Sequence, residues 1–150
     1  MQRLSITAAA AARLLISVVF LLNALGIIDQ SIPAREMAER GAPVDLVPWF
    51  MLAGRGVELL AGLALALGFY PRLAALALLA FLVPATFVSH SFWLAAGTKA
   101  FQPQLINFSK NVAIWGGLLF IGATAEHPAV ATLFPRRTSR PLDALRESPR

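Results

Sequence analysis

The sequence contains no cysteine, one tyrosine and two histidines in 150 residues. With no thiol, disulfide exchange, thiolate nucleophiles and iron–sulfur ligation are excluded within the chain. The histidines, His90 and His127, fall at opposite ends of apolar segments, with ~30 Å of hydrocarbon between them. No metal or haem site is therefore expected. Charge is also scarce, at 14% of residues against about 25% in a soluble domain. The net charge of +5 sits mostly in one tail, and no basic stripe is interleaved with aromatics, which sets nucleic acid aside as a partner. Ten-residue alternating segments are missing, so a membrane β-barrel is excluded. No internal repeat is visible.

Apolar residues are what the chain has in excess: 57% of the total, with a mean hydropathy of +0.67. They form four runs, each near the ~20 residues that cross ~30 Å of hydrocarbon as a helix. The expected helices are about 6–28, 48–69, 72–93 and 104–125, within a domain over 1–128. A helix satisfies its own backbone groups in lipid, so the expected class is an all-α, polytopic four-helix transmembrane bundle. Tyr70-Pro71 alone separates the second and third runs, which makes them an antiparallel hairpin. Between the first two lies PAREMAERGAP, where Pro33 opens and Gly41 with Pro43 closes a short amphipathic helix on the membrane surface. A secretory-signal reading of the first run, cleaved near Ala24-Leu25-Gly26, is outweighed by the length of the run and by Arg13 inside it.

Orientation follows the bias of Lys and Arg. Arg3, Arg72, Arg136, Arg137, Arg140, Arg146 and Arg150 would lie on one side, and Arg35, Arg40 and Lys99 on the other. That places both termini in the cytoplasm and the chain in the inner (plasma) membrane. The tail over 129–150, rich in Arg and Pro, would be cytoplasmic and meet anionic lipid.

The apolar runs contain polar residues, and their depths agree. At 1.5 Å per residue, Arg55 lies ~10 Å below the outer boundary, Glu58 ~15 Å and Lys110 ~10 Å. Asn107 and Asn111 share the face of Lys110, at i−3 and i+1, while His90 and Asn23 lie nearer the outer surface. Arg13 sits in the inner half, where its stem can snorkel to the interface. An isolated charge at the bilayer centre costs at least ~2.5–3.5 kcal/mol, so these groups must face one another or a wet cavity. Lys110 is expected to reach Glu58. The outcome is either a structural ion-pair network or a ligand site, and the surplus positive charge of Arg55 plus Lys110 over Glu58 would suit a small anionic or electron-rich ligand. Gly54, Glu58 and Gly62 give small-residue spacing that admits a close neighbouring helix. Trp49, Trp93 and Trp115 read as interface anchors or packing groups.

RLLISVVFLLNALG, the helix ending ERGAP, VELLAGLALALGFYPRLAAL, FVSHSFW and INFSKNVAIWGGLL together resemble the DoxX family of small bacterial four-helix membrane proteins, over nearly the whole length up to Ala125. The resemblance puts the family's glutamate on Glu58, its histidine on His90, its lysine–asparagine pair on Lys110 and Asn111, and its first-helix arginine on Arg13. The family's lysine at the end of the first helix is absent, with Ile27 in that region, and Arg55 is the candidate to replace its charge. The resemblance implies a link to oxidoreduction, since relatives include a quinone-reducing thiosulfate oxidoreductase subunit and partners of oxidative-stress enzymes.

Two functions follow as expectations. In the first, the outer half of the bundle binds a quinone or similar lipophilic redox molecule, non-covalently, because a chain without thiols or metal sites must borrow its redox chemistry. Glu58, Lys110 and His90 would be the catalytic set, with Glu58 accepting a proton and Lys110 stabilising an oxyanion. Arg55, Asn107, Asn111 and Asn23 would bind the ligand. In the second, the chain is a non-catalytic anchor or assembly subunit for a partner oxidoreductase. A homodimer fits either.

Overall fold

The computed structural model describes residues 2–29 and 31–125. The tail over 129–150 and His127 lie outside the described residues. Five helices follow in order: α1 (Gln2–Ala24), α2 (Ser31–Glu39), α3 (Val47–Leu67), α4 (Pro71–Ser89) and α5 (Phe101–Thr124). Short 3-10 turns over Val44–Leu46 and Phe92–Ala95 lead into and out of the α3–α4 pair. Among the described residues there is no strand. Four stretches are long and apolar enough to span a membrane: Thr7–Ala24, Val44–Leu67, Pro71–Ala95 and Phe101–Thr124. The all-α bundle with a short helix between the first two spans is thus present.

The exterior shows which solvent the fold is built for. Leu15, Leu60 and Leu67 are 74%, 71% and 81% exposed, and such side chains recur on every long helix. Water would drive a surface of that kind to aggregate, whereas lipid tails solvate it. Four large apolar side chains are almost fully enclosed, one from each long helix: Phe20, Leu65, Leu78 and Leu118. With Ala74, Ala75, Leu82 and Ile121 they form the apolar core. Most of these positions lie in the half of the bundle away from α2, which leaves the half on the α2 side for other uses. In ring order α1 packs on α3, α3 on α4 and α4 on α5, while α5 meets α1 more lightly.

Two helix ends differ from the expected boundaries for reasons of turn chemistry. The first helix stops at Ala24 rather than near Ile28, because Gly26 adopts φ +72° and Ile27 N–H turns back to the Leu22 carbonyl at 3.0 Å. This is a Schellman-type closure. The same closure ends α3, where Gly68 has φ +73° and Phe69 N–H donates to the Ala64 carbonyl at 2.8 Å. The third spanning helix ends at Ser89, short of Trp93, because His90 leaves helical geometry at φ −131°.

Each of those glycine turns receives an arginine from the neighbouring antiparallel helix. A Cβ on Gly68 would lie 3.2 Å from Arg13 Nη2, and one on Gly26 would lie 3.8 Å from Arg55 Nη2. A helix C-terminus carries partial negative charge and unpaired carbonyls, so a guanidinium there is stabilised by about 0.3–1 kcal/mol, and by more when partly buried. Arg13 therefore docks on the α3–α4 turn rather than simply rising to the interface.

Candidate functional site

A cavity of about 830 Å³ opens in the half of the bundle that carries α2. The facing sides of α3 and α4 form its long walls, through Phe50, Gly54 and Val57 on one side and Phe81, Pro84 and Val88 on the other. Small residues make the room. Ala77, Ala80 and Ala85 line the α4 wall, and Gly54 lies so close to Phe81 that a Cβ there would meet the ring at 2.9 Å. Pro84 has no N–H, so the Ala80 carbonyl loses its usual helical donor, at a level where both residues line the cavity. Pro33 and Met37 of α2 cover part of the mouth.

Polar groups enter the cavity at several depths. Glu58 is 4% exposed, and Asn23 Nδ2 of α1 donates to its Oε1 at 3.1 Å. The pairing follows from geometry: Asn23 is in the last turn of α1, which packs antiparallel on α3. Gly62, one turn from Glu58, lets Leu21 and Phe20 of α1 come close, at 3.2 and 3.6 Å from a Cβ built there. Arg55 lines the cavity and is exposed, its guanidinium beside Gly26. That is the end of α1, next to Ile27, where the charge of the first-helix lysine is missing.

From α5, Asn111 Nδ2 donates to Thr86 Oγ1 at 3.0 Å, and Thr86, fully buried, donates in turn to the Leu82 carbonyl at 2.7 Å. His90 Nδ1 lies 3.0 Å from Gln104 Oε1. Because an amide oxygen only accepts, this bond fixes the proton on Nδ1 in the neutral ring and leaves Nε2 as an acceptor.

Five of the seven sequence-expected site residues, Asn23, Arg55, Glu58, His90 and Asn111, thus line one cavity. Lys110 and Asn107 do not. Both are exposed on α5, and among the described residues the ion pairs are Arg35–Glu39 at 3.6 Å and Arg40–Glu36 at 2.7 Å, with no Lys110–Glu58 bridge. The expected pairing fails because Asn23 of α1 reaches Glu58, while Lys110 lies about 100° around α5 from Asn111, the residue that reaches Thr86. The charge count changes accordingly. Lys110 brings no charge to the cavity, and Asp29 is a further lining residue beside Arg55 and Glu58.

Asp29 and Arg40 were missed as contributors, and each carries a readable signal. Asp29 stands two residues before the α2 start, as a side-chain cap would. Its Oδ1 accepts from Ser31 N–H at 2.9 Å and its Oδ2 from the Ser31 hydroxyl at 2.7 Å. Those bonds, the backbone one first, hold its carboxyl below the usual aspartate range. Arg40, just past α2, donates to the Phe87 carbonyl at 2.9 Å, to Ser91 Oγ and to Glu36 Oε2 at 2.7 Å. It thereby fastens α2 over the end of α4 beside the cavity. The i, i+4 spacing of Glu36 and Arg40 was legible, the reach to α4 was not.

Among the described residues no cluster of His, Asp and Glu could hold a metal ion. Fold and site together define a polytopic helical membrane protein with a cavity between its helices and a buried carboxylate in the lining. The DoxX family model matches residues 8–91, more than half of the sequence, and the chain belongs to that family. The matched span stops before α5, so the INFSKNVAIWGGLL resemblance lies beyond it. The chain is also 31% identical over 88 residues to inner membrane protein YphA of Escherichia coli strain K12, covering 59% of this chain and 61% of that protein. It therefore spans about three fifths of the length of the curated relative it matches. No solved structure matches the chain.

Proposed function

We propose that the cavity binds a quinone, or a lipophilic redox molecule of similar shape, on behalf of a membrane oxidoreductase or an oxidative-stress system. One observation carries the reading: an apolar cavity of about 830 Å³, inside the usual range for small-molecule sites, is lined at its deep end by the bonded pair Glu58 and Asn23 and further out by Arg55 and His90. An uncharged ring with carbonyl oxygens suits that polarity, and a long apolar tail suits the walls of α3 and α4. A quinone, when bound, supplies two-electron chemistry that no side chain of this sequence provides. Within the chain, Glu58 is the group able to give or take a proton, oriented by Asn23 Nδ2. Arg55 offers positive charge to an oxygen at the mouth, and His90 and Asn111 offer hydrogen bonds. Lys110 has no role in this reading. The charge bias of the loops supports a cavity that faces the periplasmic side, with both termini cytoplasmic.

The test is equilibrium titration of the full chain in nanodiscs with short-tailed ubiquinone and menaquinone analogues, read by tryptophan fluorescence. Saturable binding is expected for the natural sequence, and loss of about tenfold or more in affinity for Ala80→Leu, whose longer side chain would enter the cavity from the α4 wall. Absence of saturation, or equal affinity in the variant, would remove the proposal.

A further inference from the structure

Apart from Arg72 in the first turn of α4, the described spans hold three cations. Arg13 and Arg55 each rest on a glycine turn of a neighbouring helix. Lys110 is exposed and, among the described residues, has no hydrogen bond or ion pair. It stands nine residues into α5, which begins at Phe101, hence about 13 Å along the helix axis. The carboxylate nearest in depth, Glu58, is buried and bonded to Asn23. Among the described residues this ammonium has no counter-ion.

The surroundings specify what could. At 100° per residue, Asn107 points within 20° of Leu118 around the α5 axis, and Leu118 is fully buried. Asn107 is nonetheless exposed, so no described element covers it at that level. Further along, α1 does meet α5: a Cβ on Gly117 would lie 2.8 Å from Ile16 Cδ1. Lys110 and Gly117, seven residues apart, share that side of the helix. The result is a recess on the α1 side of α5, closed below by the Ile16–Gly117 contact and carrying one ammonium and one amide. Because α5 enters from the α2 side, its side chains tilt toward its N-terminus, and the lysine stem rises toward the headgroups.

We propose that Lys110 and Asn107 bind the phosphate of an anionic phospholipid seated in this recess. Charge complementarity selects the occupant: the bilayer presents phosphate diesters to an exposed intramembrane cation, and an uncharged side chain beside it adds a hydrogen bond. A second copy of the chain, docked by a two-fold axis that passes beside Lys110, would instead bring two ammonium groups together.

The test uses the full chain, delipidated in detergent and offered equimolar phosphatidylglycerol and phosphatidylcholine, with retained lipids counted by native mass spectrometry. The natural sequence is expected to retain phosphatidylglycerol preferentially. Lys110→Gln should lower that preference about tenfold at one site, Lys110→Arg should keep it, and Arg72→Gln at the opposite end of the bundle should keep it too. Undiminished preference in Lys110→Gln overturns the proposal, as does displacement of the lipid by millimolar inorganic phosphate, which would mark a soluble-anion site. A shift from dimer to monomer in Lys110→Gln with lipid preference intact would assign the recess to a second copy and also overturn it. Affinity for the quinone analogues should be the same in Lys110→Gln as in the natural sequence, so the two proposals stand or fall separately.

Discussion

Replacing Asn23 by Leu removes the amide that donates to Glu58 Oε1 at 3.1 Å. Glu58 is 4% exposed, so lipid and packing leave water little chance to take the amide's place. Stranding a buried acceptor costs about 1–3 kcal/mol, and the net value of the bond itself is nearer 1 kcal/mol. Asn23→Leu is therefore expected to destabilise by about 2 kcal/mol, and Glu58→Leu by a similar amount through the abandoned amide. The double variant leaves neither group alone and should lose about 1–2 kcal/mol less than the sum of the singles. Lys110→Met provides the contrast. An exposed side chain with no described partner should change stability by within about 0.5 kcal/mol and show no coupling to Glu58. The assay is reversible unfolding of the purified chain from dodecylmaltoside by added SDS, followed by far-ultraviolet circular dichroism. Additive losses for Asn23 and Glu58, or coupling above 1 kcal/mol between Lys110 and Glu58, would refute the reasoning and restore the ion pair that the sequence suggested.

Gly68→Ala is expected to cost about 1–2 kcal/mol, since a non-glycine residue at φ +73° is strained and its Cβ crowds Arg13 Nη2; the same unfolding assay reads it. Thr86→Val removes the acceptor for Asn111 and should cost about 1–2 kcal/mol, and the further change Asn111→Ala in that background should add little. The carboxyl of Asp29, lowered by Ser31, stabilises its turn at pH above the ordinary aspartate value and loses that contribution as pH falls through the lowered one. Ser31→Ala removes the hydroxyl but leaves the backbone N–H, so the carbon-13 titration midpoint of Asp29 should rise only part of the way. Arg40→Gln unfastens α2 from the Phe87 carbonyl, and amide exchange over residues 31–39 should quicken with little change in α3 or α4.

The spanning helices were legible because one physical quantity, apolar length, decides them: in hydrocarbon only a segment that closes its own hydrogen bonds survives. The short helix before the second span was legible for a different reason, since Pro33, the paired charges of AREMAER and Gly41 are local signals. Helix ends were less so. The sequence showed apolar residues continuing past Ala24 and Ser89, and a pattern of hydrophobicity gives no warning that Gly26 or His90 will leave helical geometry. The glycine at 26 was available as a cue and was outranked by the run of apolar residues around it.

The site was half legible, and the division has a physical cause. Depth follows from counting residues, because every residue of a helix rises by the same 1.5 Å; Arg55, Glu58 and Asn111 were placed at compatible levels on that ground alone, while Asn23 was placed nearer the surface than the Glu58 it bonds. Azimuth requires knowing which neighbours each helix has and at what rotation, and a single chain does not carry that in its periodicity when apolar residues surround the helix on every side. Lys110 shows the consequence. It shares a level with Glu58 but sits about 100° around α5 from Asn111, the residue that does reach inward. Electrostatics made the wrong partner attractive: an acid and a base at equal depth look like a pair, yet α1 lies against α3 closely enough for Asn23 to take the carboxylate first. The glycine at 62 was the signal for that approach, since its missing side chain lets α1 sit where a donor from α5 would otherwise have been needed.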